Sequence, residues 1–178
     1  MLDAPARDKP VGIRDRAILA TFLYTGARIE SICQLRVDDF FEDGGYMVLD
    51  FKVKGGRVTG VAPNPRHISI LREYLRKFGL ENATESALFG RMKGKGRGEK
   101  MTQSNMRKIV KKYAKLVGLS RKITPHSARA TFITEALDAG VAIEDVQRTV
   151  DHKNIATTKM YDKRSFSHEK SATFRVTY

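Results

Sequence analysis

The residues of this chain that are best suited to chemistry lie between positions 124 and 161. Thr124-Pro125 is typical of a helix N-cap and first helical position, because proline lacks an N–H that a helix start leaves unpaired anyway. His126 and Arg129 follow three residues apart, which places them on one face of the first helical turns. Arginine is disfavoured at this positive end of the helix dipole unless an anion is expected there, and a phosphate is such an anion.

His152 and Tyr161 add an imidazole and a phenol nine positions apart. A phenol with a pKa of about 10 is ionised to only about one part in a thousand at neutral pH, so a nucleophilic tyrosine needs a neighbouring base or cation. Arginine side chains match the oxygens of a phosphodiester that gains charge in a transition state. The residue types are therefore suited to nucleophilic attack on a phosphate ester.

Length and charge limit the classes of protein to consider. The 178 residues suit one ordinary domain, and 33 Lys and Arg against 20 Asp and Glu give a net charge of +13. This balance indicates a polyanionic partner, most simply nucleic acid. The single cysteine, Cys33, excludes an internal disulfide and a multi-cysteine metal site and suits a reducing cytoplasm. No apolar run is long enough to span a membrane, and no signal-peptide pattern opens the chain.

Apolar residues at helical spacing predict the helices that position these groups. The first helix runs from about Val11 to Tyr24 and is broken by Thr25-Gly26. A second helix follows with Arg28 in its first turn, again where the dipole opposes a cation. Further helices are predicted at about 68–78, 106–117 and 126–138, with short ones near 143–150 and 154–161. Gly140 is the expected stop of the helix that starts at His126.

A short β-region separates the second and third of these helices. Residues 46–51 and 57–61 are β-rich, and Gly55-Gly56 between them is a turn signal. The predicted fold class is α+β and mainly helical, with a small antiparallel β-sheet or hairpin near residues 45–62 packed on a helical bundle. Lys54 precedes the turn, so we expect its ammonium group to project from the hairpin tip.

Basic residues elsewhere form candidate contacts to a nucleic-acid backbone. The glycine-rich stretch 90–98 lacks the Gly-Lys-Ser/Thr and the strand–helix context of a phosphate-binding loop, so we interpret it as a mobile basic loop. The helix at 106–117 has lysines and an arginine on the face away from its apolar side, a face that is also typical of simple solubilisation. The DNA-binding candidates are Arg57, Arg91, Lys93, Lys95, Arg97, Lys108, Lys111 and Lys112.

Taken together, four motifs resemble the catalytic domain of the tyrosine recombinases, the phage integrase family. They are Thr25-Gly26-Ala27-Arg28, Lys54-Gly55-Gly56, His126-Ser127-Ala128-Arg129 and Asp151-His152 followed by Tyr161. The resemblance extends from about Leu2 to Tyr161 with the order and spacing of the family. His-x-x-Arg alone is common by chance, whereas the combination is highly specific.

The resemblance implies a role for each of six residues. Arg28 and Arg129 would bind the non-bridging oxygens of the scissile phosphate, and Tyr161 would attack its phosphorus. His126 would handle the tyrosine proton, Lys54 would protonate the leaving 5′ oxygen, and His152 would support the phosphate. The implied enzyme is a tyrosine-type site-specific DNA recombinase. No carboxylate cluster suited to magnesium is visible, so we expect no metal site, no cofactor and no ATP requirement.

The resemblance also implies domain limits and partners. Residues 1–164 would form the catalytic domain and 165–178 a C-terminal tail that docks on a neighbouring subunit, while the family's N-terminal core-binding domain is absent from this chain. The partner would be double-stranded DNA with a specific recombination site, bound by a homo-tetramer whose free subunits are monomeric. We expect a cytoplasmic protein, acting at a prokaryotic nucleoid or encoded by a phage or mobile element.

The sequence departs from the family pattern at three points. Glu30-Ser31 stands where a small residue and then Glu are more frequent, Asp151 stands where glycine is usual, and Ala130 replaces a frequent second histidine. A carboxylate at position 151 could pair with His152 or repel phosphate.

Other interpretations remain open from the sequence. Singly, Arg28 could be a surface arginine paired with Glu30 or Asp3, and Lys54 only a solvated charge. The two histidines and Tyr161 could be structural. Two other functions also fit: a type IB topoisomerase-like enzyme that nicks and reseals one duplex, and a non-catalytic DNA-binding remnant of a mobile element.

Overall fold

The computed structural model describes residues 1–53, 55–120 and 122–162. Within them the helices are α1 (Pro10–Thr25), α2 (Ile29–Gln34), α3 (Pro65–Phe78), α4 (Gln103–Leu116), α5 (Pro125–Asp138), α6 (Ile143–Thr149) and α7 (Ile155–Lys159). The strands are β1 (Phe40–Asp43), β2 (Tyr46–Lys52) and β3 (Val58–Val61). These bounds confirm the predicted α+β, mainly helical fold class. None of the helices described is both long and apolar enough to cross a membrane.

Helix α1 is the centre of the larger hydrophobic core. Its residues Ala17, Ile18, Leu19, Ala20 and Phe22 are all fully buried. A helix that is apolar on every side must be surrounded by other elements. Helices α2, α3, α4 and α5 all contact α1. Side chains of α1–α4, the sheet and the segment around residues 88–101 form what we call the main core.

The three strands form one antiparallel sheet in the order β1-β2-β3. Leu49 in β2 pairs with Phe40 in β1 and with Val61 in β3. Leu49 and Val61 are buried, which joins the sheet to the main core. Strands β2 and β3 confirm the predicted hairpin, whereas β1 was missed. Its sequence Phe-Phe-Glu-Asp has no alternation of apolar and polar residues, because only its first residue is partly buried.

Helices α5, α6 and α7 form a second and smaller packing unit. We call its buried side chains the C-terminal core: Ile133, Leu137, Val146 and Val150. Helix α5 belongs to both units, because its Ala128 is buried in the main core while Ile133 is buried in the C-terminal core. The start of α5 is thereby fixed against α1, and the rest of it supports the short helices that follow.

The ends of α5 follow from its sequence as predicted. The hydroxyl of Thr124 accepts a hydrogen bond from the Ser127 N–H, the Ser127 side chain accepts one from the Thr124 N–H, and Pro125 is the first helical residue. This reciprocal capping supplies partners for two N–H groups at the helix start. Gly140, with φ of 85°, follows the last turn in the left-handed conformation that glycine adopts without strain.

Candidate active site

Arg129 lies in the second turn of α5 and is almost completely buried, with 5% of its surface exposed. Its Nη1 donates to the carbonyl of Gly26 over 2.7 Å, and its Nη2 donates to the carbonyl of Val150. One guanidinium group therefore joins the end of α1 to the end of α6. Burial and the neighbouring charge of Arg28 lower the pKa of Arg129 to about 10. The group still carries its charge at neutral pH.

Gly26 is required at this junction for two reasons. It ends α1 with φ of 59°, in the left-handed region where a side chain is strained. A Cβ atom added there would lie 2.5 Å from Cδ1 of Phe132, which is closer than real contacts allow. The glycine lets α5 approach α1 closely enough for Arg129 to reach the Gly26 carbonyl. The Thr-Gly pair of the first motif is thus part of the arginine site.

Arg28 is the N-cap residue of α2, and 44% of its side chain is exposed. Its Nη1 lies 2.9 Å from Oδ2 of Asp151, and its Nη2 donates to the Asp151 backbone carbonyl over 2.7 Å. Its partner is therefore neither Glu30 nor Asp3, the two acids considered from sequence. Arg28 and Arg129 meet the same short connection between α6 and α7, which contains Val150 and Asp151.

Tyr161 lies directly after α7, and its hydroxyl is 3.4 Å from Nε2 of His126. The sequence placed this tyrosine inside the last helix, whereas α7 ends at Lys159 and Tyr161 follows its C-terminal turn. Its N–H donates to the carbonyl of Thr158 over 3.0 Å, which fixes the backbone. The tyrosine and the exposed histidine at the start of α5 thus form the pair that a nucleophile and its base require.

His152 lies beside this pair, with its ring 6.3 Å from the Tyr161 ring at an interplanar angle of 21°. Its Nδ1 is 2.9 Å from the Thr158 hydroxyl, and its backbone carbonyl accepts from the Gln147 side chain. Burial, with the charges of Arg129 and Arg28, lowers the pKa of His152 to about 4. The ring is therefore neutral at neutral pH. When Nδ1 accepts from Thr158, Nε2 carries the proton and can donate it to an anion.

The β2–β3 hairpin borders the same site. Arg57 lies just before β3, and its Nη2 is 2.8 Å from Oδ1 of Asp151. Ser31 in α2 donates to the carbonyl of Lys52 over 2.9 Å, which ties the end of β2 to the helix that begins after Arg28. Lys54 lies outside the described residues, so its placement at the hairpin tip stays a prediction. The same holds for the tail from 163 to 178.

Two features of the site were not predicted from sequence. From sequence the Asp151 carboxylate was considered as a partner of His152 or a group that repels phosphate; the structure gives it contacts to two arginines and a left-handed backbone with φ of 50°. Gln147 and Thr158 position His152 through hydrogen bonds. A positive φ of this kind is the conformation that glycine adopts without strain. The contacts join residues 94 and 123 positions apart, which no local pattern could indicate.

The DNA-binding candidates lie in three different settings. Arg91 and Lys93 in the 90–98 loop line a groove of about 460 Å³ together with Lys108 of α4. Lys112 also has a structural partner, because its Nζ lies 3.7 Å from the buried carboxylate of Asp15. Lys95, Arg97 and Lys111 are exposed, and so is Arg57, which pairs with Asp151. Their contacts to DNA stay predictions.

The 90–98 loop has more internal structure than the sequence suggested. Gly90 forms an antiparallel bridge with Lys100, and Arg91 exchanges backbone hydrogen bonds with Glu99 and Gly98. The loop is thus a hydrogen-bonded turn. It does not lead into a helix start of the kind that cradles phosphates, in agreement with the sequence analysis.

The described part of the chain holds no group of three or more His, Cys, Asp or Glu side chains arranged to bind a metal ion. The candidate site instead combines arginines, two imidazoles and a phenol. Such a set supplies positive charge, proton acceptors and a nucleophile.

Comparison with known proteins links this geometry to a family. The model of the phage integrase family matches residues 1–168. Tyrosine recombinase XerC of Thermodesulfovibrio yellowstonii is 30% identical over 172 residues, covering 94% of this chain and 56% of the relative. Tyrosine recombinase XerA of Pyrococcus furiosus is 28% identical over 176 residues, covering 99% of this chain and 58% of the relative. The chain thus spans about half the length of the curated relatives it matches.

A solved structure shows the same fold. The XerH site-specific recombinase bound to its difH substrate, in a pre-cleavage complex, superposes with a TM-score of 0.75 at 26% identity. The superposition covers 90% of this chain and 45% of that one. The fold agrees over nearly the whole length described here.

Proposed function

Because the chain belongs to the phage integrase family, we propose that it is the catalytic domain of a site-specific DNA recombinase that forms a covalent bond between Tyr161 and a 3′ DNA phosphate. The observation that carries this proposal is the 3.4 Å separation of the Tyr161 hydroxyl and His126 Nε2, beside two arginines. The class of reaction is supported by the matched relatives, which are tyrosine recombinases. The residue roles rest on the geometry and on the family motifs.

The cleavage step balances with the groups present. The Tyr161 oxygen attacks phosphorus, its proton passes to His126, and the bond from phosphorus to the 5′ oxygen breaks. The 5′ oxygen takes a proton, for which Lys54 is the proposed donor. The product is a 3′-phosphotyrosyl bond and a free 5′ hydroxyl. Rejoining is the reverse attack by a 5′ hydroxyl, which releases Tyr161, so each step exchanges one phosphate ester bond for another and none is lost to hydrolysis.

Three side chains support the charge that develops on the phosphate. Arg129 is held by the backbone carbonyls of Gly26 and Val150, so it is a fixed cation that needs no reorganisation when negative charge appears. Arg28 reaches the site from α2 and remains accessible to solvent. His152 is neutral and can donate one hydrogen bond from Nε2. We assign the two arginines to the non-bridging oxygens and His152 to an additional phosphate contact. The reaction proposed in this way uses neither metal ion nor ATP.

The proposed partner is double-stranded DNA containing a specific recombination site. XerH, with the same fold, was solved bound to its difH substrate. For this chain the net charge of +13 and the exposed arginines and lysines support attraction to DNA. We further propose that four subunits assemble on two duplexes, while the free chain is monomeric.

A suicide substrate tests the proposed chemistry. Duplex DNA carrying the cognate site, with a nick that releases the strand beyond the cleavage point, should trap a protein–DNA adduct that survives denaturing electrophoresis. Tyr161→Phe should form no adduct, because the phenol oxygen is lost while the ring remains. Tyr46→Phe is the matched control, since Tyr46 lies 70% exposed on β2 and should leave the adduct unchanged. An adduct formed by Tyr161→Phe would refute the assignment.

A further inference from the structure

Asp151 presents its carboxylate to two arginines at once. One oxygen, Oδ2, lies 2.9 Å from Nη1 of Arg28, and the other, Oδ1, lies 2.8 Å from Nη2 of Arg57. Arg28 comes from the start of α2 and Arg57 from the β2–β3 hairpin, so the two cations approach the carboxylate from different elements. Each oxygen has one guanidinium group, an arrangement that two arginines also use to hold the two non-bridging oxygens of a phosphodiester.

Exposure differs between the acid and its partners. Only 15% of the Asp151 side chain is exposed, against 44% for Arg28 and 61% for Arg57. The arginines therefore remain open to a ligand from solvent, whereas the carboxylate is enclosed between them. A phosphate that approaches Arg28 meets a cation whose charge is already compensated by Asp151.

Stability alone is a poor explanation for this acid. Its φ of 50° lies in the left-handed region, which residues with a side chain seldom adopt and glycine adopts without strain. Ion pairs with arginines that are open to solvent stabilise a fold only weakly. Strained residues held in this way cluster at functional sites, so the strain motivates a functional explanation.

We propose that Asp151 is a built-in phosphate mimic, which occupies the oxyanion position between Arg28 and Arg57 in the free protein and is displaced when the DNA phosphate enters. The proposal makes Arg57 a further phosphate ligand. It rests on the proposed function, since the displacing anion is the DNA backbone. Asp151 thereby weakens phosphate binding until enough DNA contacts have formed to compete with it.

The geometry allows this exchange without loss of Arg28 positioning. Nη2 of Arg28 donates to the Asp151 backbone carbonyl over 2.7 Å, and that bond does not depend on the carboxylate. Rotation of the Asp151 side chain frees Nη1 of Arg28 and Nη2 of Arg57 together. The backbone of the α6–α7 connection can stay in place, held by the Asp151 N–H bond to the carbonyl of Arg148.

Binding of inorganic phosphate tests the proposal apart from any cleavage. Calorimetric titration at constant ionic strength would compare wild type with Asp151→Asn and Asp151→Gly, both of which tolerate the left-handed backbone. We expect phosphate affinity to rise roughly three- to tenfold in Asp151→Asn and at least as much in Asp151→Gly, as one opposing charge is removed at close range. Asp145→Asn, with the same change of charge on the exposed face of α6, should stay within twofold of wild type.

Arg57 is tested in the same assay. Adding Arg57→Gln to Asp151→Asn should return the affinity to the wild-type value or below. The proposal is overturned when Asp151→Asn and Asp151→Gly bind phosphate no better than Asp145→Asn, or more weakly. The latter result would make Asp151 a residue that positions Arg28. A double variant that keeps the full gain would remove Arg57 from the phosphate site.

The suicide-DNA adduct separates this proposal from the proposed function. An increase in phosphate affinity without any adduct from wild type would refute the recombinase chemistry and leave the phosphate mimic supported. An adduct from wild type without any increase in affinity would refute the phosphate mimic alone. When both hold, Asp151→Asn should also form the adduct faster than wild type at subsaturating DNA.

Discussion

The main core and the C-terminal core differ in size, and each supports a different part of the candidate site. The main core draws on α1–α4, the start of α5 and the sheet, and it fixes Arg28 at the start of α2. The C-terminal core consists of Ile133, Leu137, Val146 and Val150, and it supports the connection that contains His152 and the helix before Tyr161. The proposed nucleophile Tyr161 thus lies on the smaller C-terminal core. Arg28, one of the two arginines of the site, is fixed on the larger main core.

Arg129 and Arg28 also differ in how firmly the structure holds them. Arg129 is buried and donates to backbone carbonyls of both units, Gly26 in the first and Val150 in the second. Arg28 is half-exposed and contacts a side chain that an anion can replace. Arg129 and Arg28 share the DNA phosphate as their proposed ligand but have different structural roles. Arg129 joins the two units, and Arg28 is available for exchange.

Removal of Arg129 should have the largest effect. Arg129→Ala leaves two buried carbonyls without their donor, which should lower the free energy of unfolding by on the order of 2–4 kcal/mol. Cleavage should fall by roughly two to four orders of magnitude as a charge clamp is lost. Urea unfolding and the suicide-DNA assay measure the two effects. An unfolding midpoint equal to wild type would contradict the structural role; Arg129→Lys should recover only part of both losses.

Removal of Arg28 should separate catalysis from stability. Arg28→Ala should lose a similar factor in cleavage, roughly two orders of magnitude or more, because the same phosphate charge loses a partner. The free energy of unfolding should change by less than about 1 kcal/mol, since the arginine is half-exposed. The same urea and adduct assays apply. A loss of stability equal to that of Arg129→Ala would remove the contrast between the two arginines.

Lys54 provides a test of the hairpin as the proton donor. Lys54→Ala should slow cleavage of normal DNA by roughly two to four orders of magnitude, as expected for a lost general acid. A strand with sulfur in place of the bridging 5′ oxygen has a leaving group that needs no proton, so the variant should cleave it at nearly the wild-type rate. Single-turnover cleavage rates of the variant and wild type on normal and sulfur-substituted DNA test this role of Lys54. An equal defect on both would assign Lys54 to phosphate binding.

Acid should destabilise the main core through His67. This loss of stability is a smaller effect than the losses of cleavage predicted for the three variants above. His67 is fully buried, its Nε2 lies 3.0 Å from the Thr21 hydroxyl, and burial lowers its pKa to about 4. Below pH 6.5 the unfolded chain protonates this histidine while the folded protein does not. Stability should therefore fall as the pH drops from about 6.5 towards 4, by on the order of 2 kcal/mol at pH 5.

A matched variant identifies the residue responsible. His67→Gln removes the titration, so the loss of stability between pH 7 and pH 5 should become smaller in urea unfolding. His152 has the same lowered pKa in the other unit and should leave a residual slope in that variant. Equal pH dependence in wild type and His67→Gln would show that other groups control the acid response.

The elements of this fold were largely predictable because their signals are local. Thr124 and Pro125 set the start of α5, and glycines end α1 and α5, as capping chemistry requires. Strand β1 was not predictable, because Phe41 and the acids after it are exposed and leave no period. It forms through pairing with β2, and such pairing depends on tertiary structure.

The candidate site was predictable in its members and less so in their environment. The spacing of His126, Arg129, His152 and Tyr161 in the sequence already indicates a common site. The sequence indicated Arg129 as a phosphate ligand, whereas its burial and its bonds to two backbone carbonyls predict a structural role as well. The bridge from Asp151 to Arg28 and Arg57 depends on three distant segments meeting. The burial of Arg129, the pairing of Asp151 with two arginines and the lowered pKa of His152 all depend on how these distant segments pack together.

The central claim is that Tyr161 becomes bonded to DNA, and the most direct measurement is to identify the modified residue. The adduct from the suicide substrate would be digested with protease and nuclease, and the nucleotide-bearing peptide sequenced by mass spectrometry. We predict a nucleoside 3′-phosphate on the oxygen of Tyr161 and a free 5′ hydroxyl on the released strand. A nucleotide on another residue, or a 5′-phosphoryl linkage, would contradict the account.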